Sequence, residues 1–156
     1  MKANFFTYLF LFGAAFAQSP HFVGQPSASI NNNGFLTVSF KEAGLGANQN
    51  ILYTVGADFQ ATYQCCNKGG KHPQAGNKET TTGLVSGSGT FNSGKNGNIQ
   101  GSITLTSGPS PGDFTCPPGQ NLLLTSLEYS DIVLTDTTNH VSVNVAAPTP
   151  VTPQTC

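Results

Sequence analysis

The 156-residue chain has no arginine and no tryptophan, one methionine, and only 8% charged residues. Each shortage excludes something. Nucleic-acid binding calls on basic stripes that displace counterions from phosphates, and on arginine to read guanine edges. Neither is present, so no nucleic-acid partner is expected. An anionic membrane surface would attract clusters of Lys and Arg, and these are missing too. After the first 17 residues no apolar run reaches the length of about 20 residues that crosses a bilayer, so no membrane span is expected.

The first 17 residues are the exception in composition. Lys2 gives a positive start, Phe5 to Phe12 form an apolar run, and Ala15-Phe16-Ala17 places small residues before Gln18. This three-part pattern reads as a signal peptide over residues 1–17, cleaved on secretion. Removing 17 of 156 residues leaves 139, enough for one domain with a single core. The predicted organisation is a signal peptide at 1–17, an all-β domain at 18–147, and a proline-rich tail at 148–156. Without Lys2, five Lys face seven Asp and Glu.

Four cysteines, 65, 66, 116 and 156, suit an oxidising destination and predict two disulfides. Of the three connectivities, joining the neighbours Cys65 and Cys66 is disfavoured by geometry. From Phe59 to Cys65 the odd positions Phe59, Ala61, Tyr63 and Cys65 are apolar and Gln60, Thr62 and Gln64 polar, which turns Cys65 inward and Cys66 outward. The expected bridges are therefore Cys65–Cys116 within the domain and Cys66–Cys156 at the end of the tail. Prolines 148, 150 and 153 keep that tail extended, long enough to return to the sheet. The spacing is not that of a metal site, and no cofactor is expected.

Elsewhere the apolar period is two. Leu36, Val38 and Phe40 follow an Asn31-Asn32-Asn33-Gly34 turn, and Lys41 to Gly46 reads as a connection. Ile51–Val55 and Asp58–Cys65 read as two strands split near Gly56. Thr80–Phe91 and Ile99–Leu105, separated by the turn cluster Ser93–Gly97, read as a hairpin. Leu122–Leu134 holds one strand or two, bent near Ser130-Asp131, and Asp136–Asn139 turns the chain into Val141, Val143 and Val145. About eight antiparallel strands predict an all-β compact sandwich or barrel, with closure inclining the reading toward a barrel-like form.

Catalytic candidates are sparse. His72, in Gly69-Gly70-Lys71-His72-Pro73, sits in a predicted surface loop, while His21 and His140 have no partner base within reach of a motif. Glu128 and Asp131 could form a glycosidase pair only if the strand bends between them, since three residues apart they face opposite ways. Tyr53 and Tyr129 are candidate sugar-stacking rings, although inward packing competes with that role. No catalytic residue is assigned, and the chain is expected not to be an enzyme.

The segments Ser39-Phe40-Lys41-Glu42-Ala43-Gly44-Leu45-Gly46, Ala61-Thr62-Tyr63-Gln64-Cys65 and Asn67-Lys68-Gly69-Gly70 resemble those of small secreted microbial proteins. Among these the chain most resembles the hypersensitive-response-inducing proteins of plant-pathogenic fungi. The resemblance implies a β-rich, disulfide-bonded effector in the host apoplast, and the chain is expected to be a monomer. It would meet a host cell-surface or apoplastic component, elicit defence and aid virulence. A polysaccharide-binding module is the alternative.

Overall fold

The computed structural model describes residues 19–67 and 77–155, and all regular structure there is β. Eight strands form in chain order: β1 His21–Phe22, β2 Ser27–Ile30, β3 Leu36–Ala43, β4 Asn50–Asn67, β5 Lys78–Asn92, β6 Ile99–Thr104, β7 Gln120–Asp136 and β8 Val141–Asn144. They make two antiparallel sheets. In one, β3 carries β1 and β2 along one flank and β6 on the other. The second runs β5-β4-β7-β8. The sheets are open, so of the two expected forms the sandwich is the one seen, and the expected barrel-like closure is corrected.

The sandwich follows from side-chain alternation. Leu36, Val38 and Phe40 of β3 and Ile99 and Ile103 of β6 meet Ile51, Tyr53, Val55 and Ala61 of β4 and Leu127, Tyr129, Ile132 and Leu134 of β7 in one buried core. Each large aliphatic side chain buried this way contributes about 1.5–3 kcal/mol. The Asn31–Gly34 turn forms as expected. The Asn31 side chain accepts hydrogen bonds from Asn33 N and Phe35 N at 2.9 and 3.0 Å, and β2 pairs with β3 beyond it.

The predicted hairpin of Thr80–Phe91 with Ile99–Leu105 does not form. β5 pairs instead with β4 over fifteen residue pairs, Asn50↔Asn92 to Gln64↔Lys78, while β6 pairs with β3 in the other sheet. Ser93–Gly97 is thus a crossing between sheets, stacked on the crossing that joins β3 to β4. Leu45 N donates to Gly97 O at 3.0 Å, Asn48 N to Gly94 O at 2.6 Å and Ser93 N to Gln49 O at 2.9 Å. The buried Ser93 hydroxyl accepts from Gln49 N at 2.9 Å and donates to Gly46 O at 2.6 Å. Turn-forming residues mark where a chain changes direction. They do not say which strand the departing chain will pair with.

Other boundaries moved as well. The two strands expected around Gly56 are the single β4, because a bulge on β7 absorbs the irregularity. The register against β7 shifts between Gly56 and Asp58, opposite Asp131, whose φ is +48°. An aspartate tolerates this left-handed geometry better than most residues. The bulge is the bend expected near Ser130-Asp131. It changes the inward positions of β7 from odd (Leu127, Tyr129) to even (Ile132, Leu134, Asp136).

Cys65 and Cys116 are bridged, with Cα atoms 5.5 Å apart, as expected. The bridge pins the irregular segment after β6 to the end of β4. Tyr63 OH donates to Pro109 O at 2.8 Å and Thr81 Oγ1 to Ser110 O at 3.2 Å in the same segment. Cys66 was expected to face solvent, but it is as buried as Cys65. Alternation reports which way a side chain faces, not how exposed it is: Leu52, also even-numbered on β4, is 42% exposed. Cys156, the expected partner of Cys66, lies outside the described residues, as do the signal peptide at 1–17 and His72. The proline-rich tail runs beside β7: Leu127 and Val151 exchange backbone hydrogen bonds at 2.9 Å, and Gln154 N donates to Leu124 O at 3.1 Å.

The stacked crossings give a test. Gly97 has φ +69°, and a Cβ there would lie 3.1 Å from Gly46 N, whereas Gly94, at φ +60°, has open space around it. Gly94→Ala is expected to cost about 1 kcal/mol from backbone conformation alone, and Gly97→Ala about 2–3 kcal/mol because the crossings must also part. Urea unfolding of the two variants measures the difference.

Candidate functional site

The polar groups most at odds with their surroundings lie inside the sandwich. Continuing the β3 alternation past Leu36, Val38 and Phe40 puts Glu42 on the inward face, 1% exposed. Opposite it stand Tyr53 of β4 and, beyond the bulge, Asp136 of β7, each 0% exposed. Aromatic rings close one side, with Phe40 and Tyr53 centroids 4.5 Å apart and Phe91 edge-on to both at 5.6 and 5.8 Å. Asp136 is well supplied with donors. It accepts from Thr138 N at 2.8 Å, Asn139 N at 2.9 Å and Asn139 Nδ2 at 2.6 Å, so it also builds the β7–β8 turn.

Glu42 is not so supplied. Neither carboxyl oxygen, nor the Tyr53 hydroxyl, completes a hydrogen bond of good geometry among the described residues. Burial pushes the Glu42 carboxyl up to about 7, with the Tyr53 hydroxyl opposing the shift, the Asp136 carboxylate adding to it and His21 opposing it weakly. The Tyr53 hydroxyl is itself driven far above its ordinary range, first by burial and then by Glu42. Sealed from solvent, this cluster meets no substrate; its chemistry is the holding and release of a proton within the core.

The open surface offers two polar regions. On the outer face of the β1/β2/β3/β6 sheet, a groove of about 540 Å³ is lined by the Ser27, Ser39 and Ser102 hydroxyls, the Gln25 and Gln100 amides, and Lys41. On the outer face of the other sheet, Glu128 lies in a hollow with Asp58, Gln60 and Thr82. Asp131 opens into the neighbouring hollow, which shares Asp58 and Leu84. The bulge does therefore bring Glu128 and Asp131 to one face, the condition set for a paired-acid cleft, but it places them in adjacent shallow hollows.

The expected sugar-stacking rings are elsewhere. Tyr129 is 1% exposed and donates to Gly34 O at 2.8 Å across the core, and Tyr53 faces Glu42, so both are corrected to packing residues. His21 is exposed on β1 with Nδ1 2.8 Å from Ser19 O, and His140 sits at φ +60° beyond the Asp136 turn. Among the described residues no three His, Cys, Asp or Glu side chains are grouped to hold a metal ion. Nor is any helix there long and apolar enough to cross a membrane. No family model, curated protein or solved structure matches the chain.

Sequence reasoning missed the Glu42–Tyr53–Asp136 cluster because it assigned Glu42 to a connection and Asp136 to a turn. The usable signal was the unbroken even-numbered alternation from Leu36 to Glu42.

In the folded chain Glu42 keeps its proton up to about pH 7, whereas unfolded it releases the proton near the ordinary 4.5. The folded state thus binds more protons between these values, and stability falls as pH rises through that window, by about 3 kcal/mol in all. Glu42→Gln, which cannot ionise, is expected to flatten this slope and to be the more stable protein at pH 8. Urea midpoints measured from pH 4 to pH 8 check both statements.

Proposed function

We propose that the protein is a secreted, non-enzymatic interaction protein of the elicitor type, perceived by plant cells and able to induce a hypersensitive response and defence. The observation carrying this reading is the Cys65–Cys116 bridge, which fixes an irregular surface segment to the sheet and suits an oxidising, extracellular setting. Such a segment, held by a covalent link and by hydrogen bonds from Tyr63 and Thr81, presents one defined shape to a receptor. The resemblance of the Ser39–Gly46 and Ala61–Cys65 segments to fungal elicitors supplies the host and the response.

Infiltrating purified protein into leaves tests the reading. Native protein at micromolar dose is expected to induce necrosis, an oxidative burst or defence-gene expression, and reduced, alkylated protein to lose the effect. Silence of the native protein in every host tried defeats it.

A second reading is favoured by the groove of Ser27, Ser39, Ser102, Gln25, Gln100 and Lys41, whose hydroxyls and amides suit a polyhydroxylated chain. Under it the protein is an extracellular polysaccharide-binding module. Retention on insoluble chitin, β-glucan or cellulose is then expected, weakened roughly tenfold by Gln100→Ala, the loss of about one hydrogen bond to the ligand. Absence of retention on all three removes this reading.

A further inference from the structure

The edges of the two sheets are unequally protected. In the four-stranded run β5-β4-β7-β8, the β7 side is closed by β8 and by the tail, where Pro148, Pro150 and Pro153 cannot donate to a further strand. In the other sheet β1 and β2 are two and four residues long. The β5 edge is different. It runs fifteen residues, contains no proline, and has no charged side chain from Thr80 to Gly94. Natural edges are usually shortened, charged, interrupted or covered.

The register states which groups are free. Cys65 N donates to Asn77 O and Ser93 N to Gln49 O, one at each end of the uninterrupted β4–β5 ladder. In an antiparallel pair, hydrogen-bonded residues alternate with residues whose backbone groups point away. Odd-numbered β5 residues therefore bond to β4, and the N–H and C=O groups of Thr82, Leu84, Ser86, Ser88 and Thr90 face outward. Leu84, 82% exposed, is the most exposed large apolar side chain among the described residues and lies in the middle of this row.

We propose that the β5 edge is a self-association surface, on which a second copy of this chain adds antiparallel with the two-fold axis at Ser86. That register sets Ser86 against Ser86, Leu84 against Ser88 and Thr82 against Thr90, so every outward group meets an outward group. A second copy is the occupant that the charges select. The row has no charge to attract an acidic or basic partner, and two copies meet there without like-charge repulsion. The formal net charge, −1 for the full chain and −2 without Lys2, leaves little long-range repulsion to keep copies apart. Two such edges form an isologous contact that joins the larger sheets of both copies into one and covers Leu84.

The inference is independent of the elicitor reading, and its test does not involve plants. Sedimentation velocity on the disulfide-intact protein from roughly 10 μM to 1 mM is expected to show a concentration-dependent dimer. Ser86→Pro removes an outward N–H without touching the β4 ladder, and should weaken the dimer roughly thirtyfold or more, because both copies lose a bond at the axis. Leu84→Lys, at a solvent-exposed position, should do the same by putting charge on the edge, and serves if the proline variant does not fold. Amide exchange supplies the signature: Thr82, Leu84, Ser86, Ser88 and Thr90 become protected as concentration rises, while Gly83, Val85 and Gly87 are protected throughout. A protein that stays monomeric at 1 mM overturns the proposal, as does a dimer indifferent to both substitutions or one that protects another edge.

Discussion

The pairing of the two crossings, residues 44–49 against 93–98, is the constraint on which the sandwich rests. β4 and β5 form one long antiparallel ribbon, and at the crossings both of its strands leave for the other sheet together, continuing as β3 and β6. Three backbone hydrogen bonds and the two bonds of the Ser93 hydroxyl keep the crossings in register. Because the ribbon folds over on itself, its two halves face each other, and the inward side chains of β3 and β6 are delivered onto those of β4. The remaining strands extend these halves: β7 and β8 beside β4, β1 and β2 beside β3.

Within that apolar interior the protein keeps an acid it could have avoided. A Leu or Met at position 42 would continue the β3 pattern at no desolvation cost, whereas a charged carboxylate there would cost several kcal/mol. The protonated form is the resolution. It leaves Glu42 neutral beside Asp136, which accepts hydrogen bonds from two backbone N–H groups and the Asn139 amide of the β7–β8 turn. Two acids of similar burial thus have different roles: Asp136 organises a turn, and Glu42 ties the stability of the fold to pH.

The surface divides in a comparable way. A polar groove on one sheet lies apart from two shallow acidic hollows on the other, and these hollows share Thr82, Leu84 and Ser86 with the β5 edge; none depends on the buried cluster. Functional readings that address different parts of the surface can therefore be tested without disturbing one another. The Cys65–Cys116 bridge lies apart from the groove, and it controls only the segment between β6 and β7.

Sequence by itself determined the class and much of the local geometry. Period-two alternation gave the strands, Asn31–Gly34 and Asp136–Asn139 gave turns whose side-chain bonds are local, and Ser130-Asp131 gave the bend now seen as a bulge. It also paired Cys65 with Cys116, since an inward cysteine needs an inward partner. Tertiary structure decided what depends on residues distant in the chain. It sent β5 to β4 instead of to β6, buried Cys66 and the two candidate tyrosines, brought Glu42, Tyr53 and Asp136 together from three strands, and left β5 at a sheet edge with no further strand beside it among the described residues. The physical reason is that alternation and turn chemistry act over a few residues and fix which way a side chain faces. Strand partners and burial are set by which long-range pairing encloses the most apolar surface, and that is a property of the whole chain.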